Sequence, residues 1–268
     1  MRFLKGHGTE NDFVILPDPE GVLELTAARV AAICDRRSGI GADGVLRVVP
    51  AKASPEVSHL ADRAEWFMDY RNADGGLAEM CGNGARVFAR YLVDAGLAAP
   101  GEFAVATRGG LRRVRLADSG DVTVDMGRPA VLGESAATVA GREYPGLCVD
   151  MGNPHLACVV ADPVAGLDLT RPPGFDPAVF PKGVNVELLN VAGPDRVVMR
   201  VHERGSGETR SCGTGAVATA VAAARQAGRA TGVWTVEVPG GTLTVTLTEE
   251  TSYLSGPAVI VASGDLWI

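Results

Sequence analysis

Slid along itself by 131 residues, the chain falls back into register. The stretches AEMCGNGARVFARYL and TRSCGTGAVATAVAA each set one cysteine before Gly-x-Gly and an apolar run. Their cysteines, Cys81 and Cys212, fix the offset (212 − 81 = 131). At that offset Met68 falls on Met199, Gly82 on Gly213, Gly84 on Gly215, Ala85 on Ala216 and Ala89 on Ala220. Phe103 falls on Trp234, Val105 on Val236, Gly109 and Gly110 on Gly240 and Gly241, Val114 on Val245 and Leu116 on Leu247. No gap is needed from Met68 to Leu116. Such a period is too long for a solenoid, whose repeats run about 20–50 residues. The chain is therefore read as two copies of one domain, and its fold must be one that a single copy can build.

Each copy has the same local grammar. AEWFMDYR and RVVMRVHER alternate apolar and polar residues and are rich in aromatic and β-branched types, so both are expected as strands. A polar, glycine-bearing loop follows, then the cysteine, then a helix that ends on glycine. FAVATRGGLRRVRL and WTVEVPGGTLTVTL each read as a hairpin turning at Gly-Gly. The second helix is so rich in alanine and valine that it must be buried on most sides, and a sheet curled around it would do that. The expected class is α+β: two pseudo-symmetric duplicated domains, each a mainly antiparallel sheet around a central helix. The junction is placed near DSGDVTVDMG. This makes residues 1–117, completed by the strand-like segment 257–268, one half and residues 118–256 the other.

Composition narrows the function. With 268 residues, 46% of them hydrophobic, the chain has ample material for a core. A net charge of −7 argues against a nucleic-acid or acidic-membrane binder. MRFLKGHGTENDF lacks the apolar core of a secretory signal, and the long Ala/Val run after Cys212 is interrupted by Arg225, so a cytoplasmic protein is expected. The five cysteines fit no zinc spacing, no metal is expected, and free thiols are the default.

The two cysteines carry the chemistry. Each stands where a helix begins, among backbone N–H groups without intrahelical partners and at the positive end of the helix dipole. Both effects are expected to favour a thiolate and to hold an anion, with Gly82, Gly84, Gly213 and Gly215 letting it approach the backbone. One thiolate and one thiol on opposite faces of a carbon would suit inversion of an amino-acid α-carbon. One removes the proton, the other delivers one, and the helix N–H groups stabilise charge growing on the carboxylate. Pyridoxal phosphate, the usual aid, binds through a lysine. Lys5, Lys52 and Lys182 stand in no setting that suggests a Schiff base, so no cofactor is expected.

GHGTENDF, GIGADG, NADGGLAEMCGNGARVFARY, DMGNPH, GVNVE, ERGSGETRSCGTG and VPGG occur in that order over essentially the whole chain. In this the sequence closely resembles the diaminopimelate epimerases, cofactor-independent isomerases of the lysine and peptidoglycan precursor pathway. The resemblance implies that Cys81 and Cys212 are the acid/base pair. It implies that Gly82, Asn83, Gly213 and Thr214 hold the reacting carboxylate. Asn11, Asn72, Asn153, Asn185, Glu203 and Arg204 would bind the rest of the amino-acid substrate, with His155 in support. Some members carry glutamine at the position of Gly44 and serine at that of Thr214. The resemblance also implies a homodimer.

Two rival readings stand beside it. Proline racemases and hydroxyproline epimerases share the two-cysteine logic but carry histidine after the first Cys-Gly, where this chain has Asn83, and Asp-Arg-Ser-Pro where it has ETRS. A non-catalytic amino-acid binding protein would explain the glycines but not a cysteine in both copies.

Overall fold

In the computed structural model, which describes residues 1–267, the offset of 131 reappears from the strand Trp66–Asn72 through the helix Gly82–Asp94 to the hairpin that follows, while the equivalent strands before them lie further apart in sequence. The chain divides into two units: Met1–Val124 with the segment from Gly256 onward, and Asp125–Ser255. The first holds β1 (Arg2–Gly8), β2 (Asn11–Pro17), α1 (Ala27–Cys34), β3 (Gly44–Pro50), β4 (Trp66–Asn72), α2 (Gly82–Asp94), β5 (Glu102–Thr107), β6 (Gly110–Leu116) and the start of β7 (Val122–Gly127). The C-terminal strand Val259–Asp265 lies antiparallel beside β1. From it the order runs β1, β2, β3, β4, β5, β6, β7, and only β2–β3 and β4–β5 are parallel.

The second unit repeats this plan. It holds β8 (Ala130–Val139), β9 (Arg142–Asp150), β10 (Pro154–Val159), β11 (Gly174–Phe175), β12 (Asn185–Gly193), β13 (Arg196–Glu203), β14 (Gly207–Thr209), α3 (Gly213–Gln226), β15 (Gly232–Val238), β16 (Gly241–Leu247) and β17 (Ser252–Gly256). The order is β8, β9, β10, β12, β13, β15, β16, β17, with only β10–β12 and β13–β15 parallel. Short β11 and β14 attach to β8 and β13. Helix α1, capped by the Thr26 hydroxyl, has no α-helical counterpart in this unit.

Each long helix is wrapped by its own sheet. Helix α2 packs on β1 to β4, β6 and the C-terminal strand; α3 packs on β9, β10, β12, β13, β15 and β16. The two helices solve this enclosure differently. Helix α3 buries every residue from Gly213 to Ala220, all of them small or β-branched, so the strands approach closely. Helix α2 buries Phe88, Leu92 and, unexpectedly, a complete arginine, Arg86. Both stop alike. Gly96 and Gly228 adopt φ +69°, and the N–H of the next residue returns to the helix, Leu97 to the Leu92 carbonyl and Arg229 to the Ala224 carbonyl, each at 2.8 Å. The two hairpins also match. Their two-residue turns are Arg108–Gly109 and Pro239–Gly240, and the second glycine of each Gly-Gly pair opens the returning strand.

Candidate active site

Topology gathers the candidate residues of each unit at one pole. In the second unit β10 and β12 run parallel, so both start at the same end, and antiparallel β13 finishes there. Asn153 and His155 come from the start of β10, Asn185 from the start of β12, and Glu203 and Arg204 from the end of β13. The first unit uses the same device: Asn11 opens β2, Gly44 opens β3 and Asn72 closes β4. Each pole receives the N-terminus of its central helix.

The cysteines are the N-caps of those helices. Both have extended backbones, φ −134° and ψ 121° at Cys81, φ −125° and ψ 119° at Cys212. The Gly84 N–H donates to Cys81 Sγ and the Gly215 N–H to Cys212 Sγ, each at 3.4 Å. A sulfur here takes the place of the usual capping oxygen. Gly82 with Asn83, and Gly213 with Thr214, are the first two helical residues in each copy, where backbone N–H groups lack intrahelical acceptors.

Around Cys212 the neighbours are acidic. Its sulfur lies 3.5 Å from Thr214 Oγ1, which accepts from Asn153 Nδ2 at 3.5 Å. Asn153 Oδ1 meets His155 Nε2 at 3.1 Å, and His155 Nδ1 meets Glu187 Oε1 at 2.7 Å. His155 and Glu187 are completely buried, and Glu187 Oε2 has no hydrogen-bond partner. Glu203 bonds the Thr209 hydroxyl and the Cys212 thiol. Burial pushes the Cys212 thiol well above its ordinary pKa, and the nearby Glu203 and Glu187 push it further; the hydrogen bonds from Thr214 and Gly215 only partly oppose this. Burial likewise raises Glu187 and Glu203. The expected lowering of the thiol pKa at a helix start is therefore overturned at Cys212, because desolvation and two carboxylates outweigh the helix end.

Around Cys81 the neighbours are amides. Cys81 Sγ donates to Asn11 Oδ1 at 3.7 Å, and Asn83 Nδ2 donates to the same oxygen at 3.1 Å. Asn11 Nδ2 donates to Asp43 at 2.7 Å, and Asn83 Oδ1 accepts from Arg86 at 2.6 Å. Asn11 is delivered by a strained turn. Thr9 and Glu10, between the paired Gly8 and Asn11, adopt φ +51° and +61°, which non-glycine residues avoid at a cost of about 1–3 kcal/mol each.

The structure thus joins Asn11, Cys81, Gly82 and Asn83 in one unit, and Asn153, His155, Glu203, Cys212, Gly213 and Thr214 in the other. Three candidates stand apart from these networks. Asn72 is exposed and accepts from the Tyr70 hydroxyl at 2.8 Å. Asn185 gives both ends of its amide to backbone, the Pro154 carbonyl and the Arg204 N–H. The exposed Arg204 guanidinium donates to the Lys182 carbonyl at 3.2 Å. A side chain at position 44 has no room, since a Cβ there would lie 2.5 Å from the Arg71 carbonyl oxygen. Sequence reasoning missed Glu187, Asp43 and Arg86. Glu187 was accessible, because it follows Asn185 by two in a strand and so shares its face.

A family model for diaminopimelate epimerase matches residues 3–132 and 147–261. The diaminopimelate epimerase of Thermobifida fusca is 57% identical over 270 residues, covering 99% of this chain and 98% of its own. That of Streptomyces coelicolor is 58% identical over 274 residues, covering 99% and 95%. Among solved structures, a phenazine biosynthesis protein of the PhzF family from Bacillus anthracis shares the fold with a TM-score of 0.71 at 16% identity, covering 100% of this chain and 99% of its own.

Proposed function

The chain belongs to the diaminopimelate epimerase family, and from that membership we propose that it interconverts LL- and meso-diaminopimelate, a step toward lysine and peptidoglycan precursors. One α-proton is removed by a thiolate and another is delivered by a thiol, with Cys81 and Cys212 in those roles. The observation that carries this reading is the duplicated cap: the same sulfur, at the same backbone angles, holding the same N–H at 3.4 Å at the start of each central helix. A protein that only bound its ligand would need the glycines but not both sulfurs.

In this mechanism the carboxylate on the reacting carbon is bound by the first backbone N–H groups of α2 and α3, at Gly82, Asn83, Gly213 and Thr214. Fixed donors there stabilise negative charge as the α-carbon is deprotonated. Cys212, held protonated by burial and by Glu203 and Glu187, is the acid in one direction and Cys81 the base; on the return the roles exchange. His155 is locked between Asn153 and Glu187 and supports the acid half. Asn11, Asn72, Asn153, Asn185, Glu203 and Arg204 contact the remainder of the substrate, Arg204 offering two parallel donors to the distal carboxylate. No pyridoxal phosphate or metal takes part. The enzyme acts in the cytoplasm as a homodimer; no helix among the described residues is long and apolar enough to cross a membrane.

The test is conversion of LL-diaminopimelate by enzyme dialysed against chelator and freed of any pyridoxal phosphate, followed by chiral chromatography. Full activity is expected, and Cys81→Ser and Cys212→Ser should each lose most of it in both directions. Serine is too weak an acid to replace a thiolate as base at neutral pH. Activity restored only by pyridoxal phosphate would overturn the proposal.

A further inference from the structure

The two poles are alike in backbone and unlike in charge: Glu187 and Glu203 stand beside Cys212, whereas a buried cation, Arg86, is bonded into the network beside Cys81. Arg86 lies in the first turns of α2 and is wholly buried. Its Nη1 donates to the Pro257 carbonyl at 2.7 Å, and its Nη2 to Thr9 Oγ1 at 3.1 Å and to Asn83 Oδ1 at 2.6 Å. All three acceptors are uncharged, and Nε has no partner. Burying a guanidinium without a bonded carboxylate is unfavourable, so such an arrangement calls for a reason. The fold does not supply it. At the equivalent place in α3 (86 + 131 = 217) stands Val217, equally buried.

We propose that Arg86 is a positioning residue for the Cys81 half of the reaction: the amides it orients fix where the Cys81 side chain stands, and its cation favours the sulfur as the base. Arginine only donates and aspartate only accepts, so the chain from Arg86 through Asn83 and Asn11 to Asp43 leaves each amide one orientation. Asn11 is thereby locked with Oδ1 toward the sulfur, accepting from the thiol at 3.7 Å; this places the side chain, and the cation rather than the amides favours its deprotonation. The same guanidinium bonds Thr9 in the strained turn that delivers Asn11. Burial lowers the Arg86 pKa only to about 10, so the group stays cationic at neutral pH. Cys81 and Asp121 are the ionisable groups that act on it in turn. Other charges on the strands around α2 are satisfied among themselves: Lys5 with Asp12, Arg47 with Asp18 and Asp69, and Arg71 and Arg108 with Asp69. Gly8 makes the space, since a Cβ there would stand 3.0 Å from Arg86 Nη2.

The inference rests on the role proposed for Cys81, but its test needs no substrate. Alkylation of Cys81 by iodoacetamide is followed by peptide mass spectrometry between pH 6 and pH 10. Arg86→Met should raise the apparent pKa of Cys81 by at least about one unit, slowing alkylation at neutral pH about tenfold. Arg86→Lys keeps the charge and should shift the profile much less, while lowering kcat because Asn83 and Asn11 are no longer locked. Gly8→Ala, which crowds the guanidinium from outside, should shift the profile in the same direction as Arg86→Met. It also serves if Arg86→Met does not fold. A purely structural arginine would change the melting temperature and leave the profile in place; unchanged profiles in the folded variants would overturn the proposal. If the wild type fails to epimerise diaminopimelate yet Arg86→Met shifts the profile, the functional reading falls and the role of Arg86 stands.

Discussion

Replacing His155 by leucine should make the stability of the second unit fall steeply as pH rises. Glu187 is completely buried and has one side-chain partner, the His155 ring at 2.7 Å; its Oε2 has none. Without His155 the carboxyl loses its side-chain partner, and burial, already raising the pKa of Glu187 above its ordinary 4.5, acts with less opposition. The folded variant then holds a protonated carboxyl where the unfolded chain is ionised. For such a raised group, stability is fully present below the unfolded pKa and is lost as pH climbs toward the folded one. Between those limits the folded state binds one proton more than the unfolded state. Across that interval the slope approaches about −1.4 kcal/mol per pH unit. Urea unfolding followed by circular dichroism at several pH values reads this directly. His155→Leu should show a steeper fall than wild type, and the double variant with Glu187→Gln should lose the extra slope. A single variant running parallel to wild type from pH 5 to pH 7 would refute the argument.

Two further outcomes follow from the same geometry. Gly215→Ala places a Cβ 2.6 Å from Glu187 Oε1, an atom held by His155, whereas Gly84→Ala meets nothing nearer than 3.2 Å, at Leu46 Cδ2. The first should lose about 1–3 kcal/mol in urea unfolding together with most activity, the second clearly less; equal effects would contradict the reading. Arg204→Lys should lower kcat/KM for diaminopimelate about ten- to a hundredfold, because a point charge replaces a two-pronged donor, and an unchanged value would place Arg204 outside the substrate's reach.

How far the sequence could be read depends on what each feature needs. The offset of 131 exposes both cysteine-headed helices, their glycine stops and the hairpins, because these are set by local chemistry. Sequence alternation also marks β4 and β13. The electrostatics of the two poles is another matter. Both Cys-Gly-x-Gly starts look equally suited to a thiolate, and only the assembled unit shows Glu187 and Glu203 arriving from two other strands to reverse that at Cys212. Asn72 and Glu203 stand at the same offset from their cysteines, yet one turns outward to Tyr70 while the other bonds the thiol. Arg86 was hidden for the same reason. An arginine in a helix reads as a solvated side chain until the sheet is seen to close over it.

The central claim is that a proton leaves one face of the α-carbon and a solvent-derived proton arrives on the other. Incubation of LL-diaminopimelate with the enzyme in deuterated water, read by mass spectrometry and chiral chromatography, tests it most directly. The account predicts that each molecule of meso product carries one α-deuterium at the inverted centre, without added pyridoxal phosphate or metal. Inversion that retains the original α-hydrogen, or no inversion in either direction, would contradict it.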